Sequence, residues 1–391
     1  MTYSVRTVHR ADDAPQALWD KGFAPPIEGK WWYELFEQSG LEDQFQFLYA
    51  IVEREGQAVG LAPMFVADVP IDLVVPDELF PIFKAIGRVF PGVMAQRTLF
   101  VGSPCADEGA VAILDGEDRV AALSAIGEAM PQIAKGHRAF MLVWKDMPEA
   151  LEADMAQAAS LTGFFSTPSY PGAEARFPTG RKADFLSAMK SSHRQQLKRK
   201  LRRSAEAADL SVEVVQAPGQ ELLDEIFALF MQTYEKARTR FERLDMRFFA
   251  RVALEPRAHF LLLRDRANGR LAAFMLLFDL GDTVINKFIG IDYARPKDEM
   301  LYFRLTDAAI DWAIAKGATR LQSGQTGYRV KIELGHALTP LTNFGRHRIR
   351  PIHAIYALVA RTISWKTLDT DLAHHLQSHP ENPMAESGKW G

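Results

Sequence analysis

Residues Thr283–Gly335 read TVINKFIGIDYARPKDEMLYFRLTDAAIDWAIAKGATRLQSGQTGYRVKIELG, and their pattern decides the fold. Tyr302, Leu305, Ala308, Ala309, Trp312 and Ala313 recur at three- and four-residue steps. That spacing predicts an amphipathic helix, closed by the C-cap signal Lys316-Gly317. Apolar and β-branched runs flank it, so the stretch is expected to form a β-α-β unit with the helix across one face of a sheet. A polar loop follows the second strand and carries Ser323, Gln325, Thr326, Tyr328, Arg329 and Lys331 among glycines. Loops at the carboxyl ends of such strands are where α/β proteins bind small molecules.

Upstream of this unit, Arg181–Ala208 reads as one long basic helix and Ser211–Gln216 alternates as a strand. Gln220–Thr239 and Phe248–Leu254 are predicted helices. His259–Arg264, Leu271–Asp279 and Thr283–Ile291 form a meander with turns at Asn268-Gly269 and Gly281-Asp282. The first part of the chain follows a similar script. A helix at Trp31–Gln38 precedes a hairpin, Phe45–Arg54 and Val59–Val66, across Glu55-Gly56-Gln57. A helix at Leu79–Val89, a strand at Thr98–Val101, a helix at Asp118–Lys135 and a strand at Ala139–Trp144 come next. Pro148–Thr162 is then a helix with proline at its start, and Tyr170–Phe177 a last strand. Downstream, Pro351–Lys366 is a helix with Ile352, Ile355, Leu358, Val359 and Ile363 on one side. Two α/β halves, each a meander followed by a helix and a further strand, imply a pseudo-duplicated architecture. The expected domains are residues 1–178 and 179–366, with 367–391 a disordered tail, polar and rich in helix breakers from His379.

Composition bounds the class. The 391 residues are 48% hydrophobic and 24% charged, ordinary for a globular protein of two or three domains. A net charge of -3 gives no global attraction to DNA or to an anionic membrane, although a local patch could act. The single cysteine, Cys105, excludes an internal disulfide framework and fits a reducing compartment. The start, MTYSVRTVHRADDAPQ, lacks a basic segment followed by an apolar core, so a secretory signal is not expected. No apolar run approaches the ~20 residues of a membrane-spanning helix. The expected location is the cytoplasm.

Three segments resemble the Fem-like branch of the GNAT (acyl-CoA N-acyltransferase) superfamily, which includes the peptidoglycan aminoacyltransferases. SSHRQQLKRKLRRSAEAADLSVEVV (Ser191 to Val215) is similar to the family's basic helix leading into a strand. LYFRLTDAAIDWAIAKGATRLQSG (Leu301 to Gly324) resembles the helix and strand before the family's substrate loop. GYRVKIELG (Gly327 to Gly335) resembles its short motif with a lysine shortly before a glycine. The resemblance covers Arg181 to Arg348, and the N-terminal half by architecture alone. It implies an α/β fold of two tandem GNAT-like domains, mixed sheets flanked by helices, with a substrate cleft between them and a degenerate first domain. It also implies transfer of an acyl or aminoacyl group from an activated carrier to an amine.

Two features set the donor question. A GNAT pyrophosphate cradle, Q/R-x-x-G-x-G/A, has a literal match at Gln57-Ala58-Val59-Gly60-Leu61-Ala62, but this lies in a predicted hairpin with no helix after it. The loop where the cradle belongs, ARPKDEM, lacks glycine and sets Asp298 and Glu299 at the helix start, where they repel phosphate; Arg295 and Lys297 compensate in part. Fem-type enzymes, which draw on aminoacyl-tRNA, also lack the motif. The second feature is the run from Lys190 to Arg203, with seven Lys or Arg and no acid. Arg194, Lys198 and Arg202 form a stripe at four-residue steps, while Leu197 and Leu201 pack inward. It is either an anion site for a phosphate-bearing acceptor, a CoA phosphate or a tRNA backbone, or a solvated face.

Lys331 is the first candidate site residue, either as a charge partner for carrier, acceptor or developing oxyanion, or as a surface lysine. Tyr328 serves as general acid or substrate anchor, or packs beside the glycines. Lys287, within VINKFIGI, either lines a cleft or sits on an exposed strand edge. Gln325, Thr326 and Arg295 are further binding candidates. Amine acylation needs a neutral amine, so Asp292 and Glu242 are considered as the base. No metal-ligand spacing appears among the histidines, and no tightly bound cofactor is expected. Acyl-CoA is the default co-substrate and donor, with a small-molecule amine as acceptor. Aminoacyl-tRNA transfer is the alternative, as is a non-catalytic anion- or partner-binding protein. Membrane insertion is not expected. Surface attachment through Ile352–Lys366 competes with a docked core helix, and its few cations argue against lipid.

Overall fold

The computed structural model describes residues 2–70, 94–237 and 242–378, with Lys84 and Arg88. The expected helix at Leu79–Val89 lies outside the described residues, apart from those two positions. Contacts divide the chain into two units, one running to Tyr170 and resuming at Pro340, the other Pro171–Thr339.

The first unit begins with β1 (Tyr3–Val8), α1 (Gln16–Gly22), α2 (Lys30–Glu37), β2 (Gln46–Arg54), β3 (Gln57–Pro70) and β4 (Ala95–Val101). It continues with β5 (Ala112–Ile113), α3 (Arg119–Gly136), β6 (Met141–Pro148), α4 (Glu149–Thr162) and β7 (Phe165–Pro168). The second unit holds β8 (Gly172–Arg176), α5 (Lys182–Ser187), α6 (Ser191–Ala207), β9 (Leu210–Val215), α7 (Gln220–Lys236) and α8 (Met246–Val252). Its remaining elements are β10 (Ala258–Asp265), β11 (Leu271–Asp279), β12 (Thr283–Ile291), α9 (Leu301–Ala315), β13 (Arg320–Gln322), α10 (Tyr328–Glu333) and β14 (Ala337–Thr339). The chain then returns to the first unit as β15 (Leu341–His347), α11 (Arg350–Ala360), α12 (Trp365–Leu368) and α13 (Thr370–Ser378).

Local chemistry accounts for the element ends. The Asp118 carboxylate accepts from the Ala121 N–H at 3.0 Å and starts α3, and Asp245 does the same for α8 through Phe248 at 3.2 Å. Gly163 ends α4 in the left-handed conformation, with φ 74°. Apolar faces then drive packing. In the first unit Leu48, Met64, Leu99, Ile126, Leu142 and Trp144 share one core. In the second, Leu261, Met275, Leu277, Val284, Leu305 and Leu321 share another.

The two sheets have the same grammar. The first is an eight-stranded sheet ordered β1-β2-β3-β4-β6-β15-β7, with β5 on β3. The second has seven strands, ordered β14-β8-β13-β12-β11-β10-β9. Each is an antiparallel meander, a crossover helix (α3 or α9), a parallel strand (β6 on β4, β13 on β12), and an antiparallel strand beyond it. The fold is therefore α/β with two mixed sheets flanked by helices.

Several expectations are corrected. Tyr170–Phe177 contains a strand, but β8 pairs with β13 and β14 in the second sheet. Leu341–His347 pairs with β6 and β7 in the first. The divide at residue 178 and the assignment of 340–366 to the second domain give way accordingly, because each parallel strand is completed from a distant part of the chain. The long helix over Arg181–Ala208 is two helices broken at Met189-Lys190. The Arg194 guanidinium reaches back to the carbonyls of Leu186, Ser187 and Met189 and satisfies the end of α5. Pro351–Lys366 likewise divides into α11 and α12. In the supposed tail, Leu372 and Leu376 are buried and α13 is helical; residues 379–391 lie outside the described residues. Among the described residues, no helix is long and apolar enough to cross a membrane.

Candidate functional site

The parallel ladder between β12 and β13 is short: Thr283, Val284 and Ile285 pair with Arg320, Leu321 and Gln322, and there it stops. β12 runs on to Ile291 against β11 alone. The Asp292 N–H bonds Ala272 on β11 at 2.9 Å, whereas the Ile291 N–H points away from β11 and donates to the Thr233 hydroxyl of α7 at 3.1 Å. By the two-residue period, the N–H and C=O of Ile289 face that same side, along an edge that no strand covers among the described residues. A bulge between Leu276 and Leu277 makes Lys287 the extra residue opposite them. Lys287 is thus half-buried on a bulge of an interior strand, at the mouth of the open edge. At Gly290 α7 crosses so closely that a Cβ would lie 2.6 Å from the Leu229 carbonyl carbon.

The other wall begins where β13 ends. Gly324, Thr326 and Gly327 all have positive φ, 61°, 61° and 62°, so the chain turns away from β12 at once and enters α10. Lys331 fixes this turn. It is 2% exposed, and its Nζ donates to the carbonyls of Gly324 and Gln325, each at 3.0 Å. Its own carbonyl accepts from His336, whose Nε2 lies 3.0 Å from Ser323 Oγ. Burial and the Lys331 charge push His336 down to about 3. The Tyr328 hydroxyl donates to the Pro171 carbonyl at 2.8 Å in a fully buried position. The sequence predicts a loop through Gln325–Lys331, with Lys331 facing substrate or solvent and Tyr328 either facing substrate or packing beside the glycines. Instead, Tyr328–Glu333 is a short helix, and both side chains hold the turn in place from beneath.

Gln325 is different. Its Nε2 is buried and has no hydrogen-bond partner among the described residues, which sets it apart from the other polar groups of the turn. Thr326 beside it is exposed.

Asp292 caps its own turn, accepting from the Ala294 N–H at 3.0 Å. Arg295 is engaged on both sides: Nε lies 2.5 Å from Glu299, itself 5% exposed, and Nη2 lies 3.0 Å from Asp265. Hydrogen bonding to Arg295 holds Asp265 below the usual carboxylate range, and Glu299 holds Arg295 above its usual value. The loop before α9 is therefore a closed ion-pair network. The motif glycine in Gln57–Ala62 is explained by packing: a Cβ on Gly60 would lie 2.9 Å from the Ala112 carbonyl oxygen of β5.

On α6 the predicted stripe divides. Arg194 is turned inward on the carbonyls of α5, while Lys198 is exposed and Arg202 reaches Glu206 at 3.6 Å. Arg199 and Arg203 join Lys198 on the outer face. Leu197 is buried, as expected. His193 bonds the Glu333 carbonyl at 2.7 Å and Lys200 ion-pairs with its carboxylate, so α6 is tied to the end of α10.

In the first unit the matching position is filled. The β4–β6 ladder runs from Thr98 to Val101. Beyond it Lys145 ion-pairs with Asp146 and donates to the Ala106 carbonyl at 3.1 Å, while Ser169 also bonds Asp146. A cavity of about 550 Å³ elsewhere in this unit is lined by His9, Arg10, Glu37, Glu42, Phe47 and His137. Sequence reasoning missed it because its walls come from separate segments. The Glu37 carboxylate, raised by burial, is engaged by Tyr49 at 2.5 Å and the Ala11 N–H at 2.8 Å. Among the described residues, no group of three or more His, Cys, Asp or Glu could hold a metal ion.

Residues 178–362 match the FemAB-like family model, described as peptidoglycan biosynthesis/recognition. No curated protein matches the sequence. Among solved structures, FemX superposes with a TM-score of 0.55 at 14% identity, over 90% of this chain and all (100%) of that one. L-PGS from Bacillus licheniformis gives 0.53 at 12%, over 88% and 95%. A tandem GNAT protein from the clavulanic acid biosynthesis pathway gives 0.51 at 13%, over 89% and 99%. These likenesses, with two sheets of one topology, make the fold a tandem GNAT fold. Through residues 178–362, somewhat under half of its length, the chain is similar to the FemAB-like family.

Proposed function

We propose that the protein is an acyltransferase that moves an aminoacyl group from an activated ester to an amine. The observation that carries this reading is the edge of β12 at Ile289, uncovered among the described residues and facing away from β11, in a unit where Gln325 Nε2 is buried without a partner among them. An extended, amide-bearing donor lies along such an edge as an added strand would. Backbone and side-chain N–H groups are fixed donors for the negative charge that develops on the acyl oxygen. The amine then attacks the acyl carbon, the ester C–O bond breaks, and the amine's proton leaves to solvent or base. Lys331, Tyr328 and His336 position the turn, and Gln325 and Thr326 contact the substrate.

An aminoacyl-tRNA donor is favoured over acyl-CoA because Arg295 is committed to Glu299 and Asp265, where a pyrophosphate would need free cations. The exposed Lys198, Arg199 and Arg203 suit a polyphosphate backbone. That donor would place the reaction in the cytoplasm. The family description supports an acceptor amine on a peptidoglycan precursor.

The test supplies radiolabelled aminoacyl-tRNA or acetyl-CoA to wild type and to Gln325→Leu, with amine acceptors. Transfer from tRNA, lowered about ten-fold or more in the variant, is expected from loss of one transition-state donor. Transfer from acetyl-CoA alone would overturn the donor, and transfer from neither would overturn the activity.

A further inference from the structure

Helix α11 is inverted for a surface helix. Its packed side carries His353, Tyr356 and Ala360. His353 Nδ1 accepts from the His347 N–H at 3.3 Å, and its ring centre lies 5.5 Å from that of Phe165. Tyr356 donates to Gln96 Oε1 at 3.1 Å, and Ala360 is buried. The outward stripe, at three- and four-residue steps, is Pro351, Ala354, Ile355 and Leu358. Ile355 is 62% and Leu358 64% exposed, and Ile349 just before the helix is 42% exposed. A helix lying on a water-facing surface ordinarily turns its polar face outward.

The chain segment that carries this stripe has charge of one sign. No Asp or Glu occurs between Glu333 and Asp369, in a chain whose net charge is -3. Arg350, Arg361 and Lys366 are exposed at and beyond the helix ends and have no acidic partner among the described residues. Phe140, 48% exposed, extends the apolar surface: its carbonyl accepts from the Arg348 N–H at 2.9 Å, and the Arg348 guanidinium lies 5.6 Å over its ring.

We propose that α11 docks the protein peripherally on an anionic lipid surface. Ile355 and Leu358 enter the boundary between headgroups and acyl chains, and Arg350, Arg361 and Lys366 meet headgroup phosphates. An 11-residue helix is too short to span a bilayer, so the contact is interfacial. A second copy of the chain is a poorer occupant. An isologous contact along this helix would set Arg350 and Arg361 against their own counterparts with no acid between them. The sequence alone had argued against lipid by counting cations from Ile352 on. Arg350 adds to that count, and the orientation of Ile355 and Leu358 decides the matter.

Sedimentation with phosphatidylcholine vesicles, with and without phosphatidylglycerol, tests the proposal on the full chain. Wild type is expected to pellet with the anionic vesicles. Leu358→Glu should lower that partitioning about ten-fold or more, and Arg361→Gln about five-fold, both with unchanged melting because the residues are exposed. Equal binding by wild type and Leu358→Glu would overturn the proposal, as would failure of wild type to bind. A concentration-dependent dimer that Leu358→Glu dissociates would assign the face to a second copy instead.

Discussion

His336 Nδ1 lies 3.0 Å from the carbonyl oxygen of Lys331. A carbonyl can only accept, so Nδ1 carries the hydrogen, and Nε2 is left to accept from the Ser323 hydroxyl. Burial and the neighbouring ammonium, not these hydrogen bonds, hold the imidazole neutral beneath the turn that bears Gln325. Burial and the Lys331 ammonium bring its pKa to about 3. In the unfolded chain a histidine titrates near ~6.5. Between those values the unfolded state binds the extra proton, so stability is full above about pH 6.5 and falls as pH drops toward 3. The loss approaches about 1.4 kcal/mol per pH unit for this one group. Urea unfolding from neutral to mildly acid pH measures it. His336→Gln should flatten the dependence by about one proton, and an unchanged slope would mean that the ring is not held neutral.

Replacing Lys331 by methionine keeps the side-chain volume and removes the ammonium. The carbonyls of Gly324 and Gln325 then lose a shared donor in a buried setting, at a cost of about 1–3 kcal/mol. For a unit of this size the melting temperature falls about 2–4 °C per kcal/mol. A variant that melts with wild type but has lost transfer would put Lys331 back in contact with substrate.

Periodicity made the β-α-β core legible, because α9 and β12 each bury a face set by their own sequence. Strand exchange was not legible. Residues 171–177 and 341–347 alternate equally well in either sheet, and pairing between distant segments leaves no local mark. The break at Met189-Lys190 carries no glycine or proline; it depends on Arg194 folding back, which only the structure reveals. Residues 328–333 read as loop because six residues between glycines are too few to show a helical period. For α11 the spacing set Ile355 and Leu358 on one side, but it carried the stripe on to Ile363, beyond the helix end, and did not tell which side of the helix meets the sheet. The open edge of β12 arises because β13 is three residues long, and strand length is among the things a pattern of apolar residues fixes least.

Arg295 joins Asp265 to the buried Glu299, and removing it leaves Glu299 without its cation. Arg295→Gln is expected to lower stability by about 3–5 kcal/mol, with much of the loss recovered in the double variant carrying Glu299→Gln. A double-mutant cycle by chemical denaturation gives the coupling. If Arg295 instead waited for a phosphate, the single variant would be near wild type in stability and would lose affinity for CoA.

The outer face of α6 separates a polyanion site from a solvated helix. Lys198, Arg199 and Arg203 are exposed, so replacing each with glutamine should leave stability within about 0.5 kcal/mol. Their effect should appear in the ionic-strength dependence of tRNA binding. Each phosphate that is no longer neutralised flattens the slope of log K against log salt by about one, and weakens binding to all tRNAs alike. Filter binding across a salt series, with wild type and the triple variant, reads this directly. Identical slopes would mean that these three cations are merely solvated, and that a tRNA donor, if used, is held elsewhere.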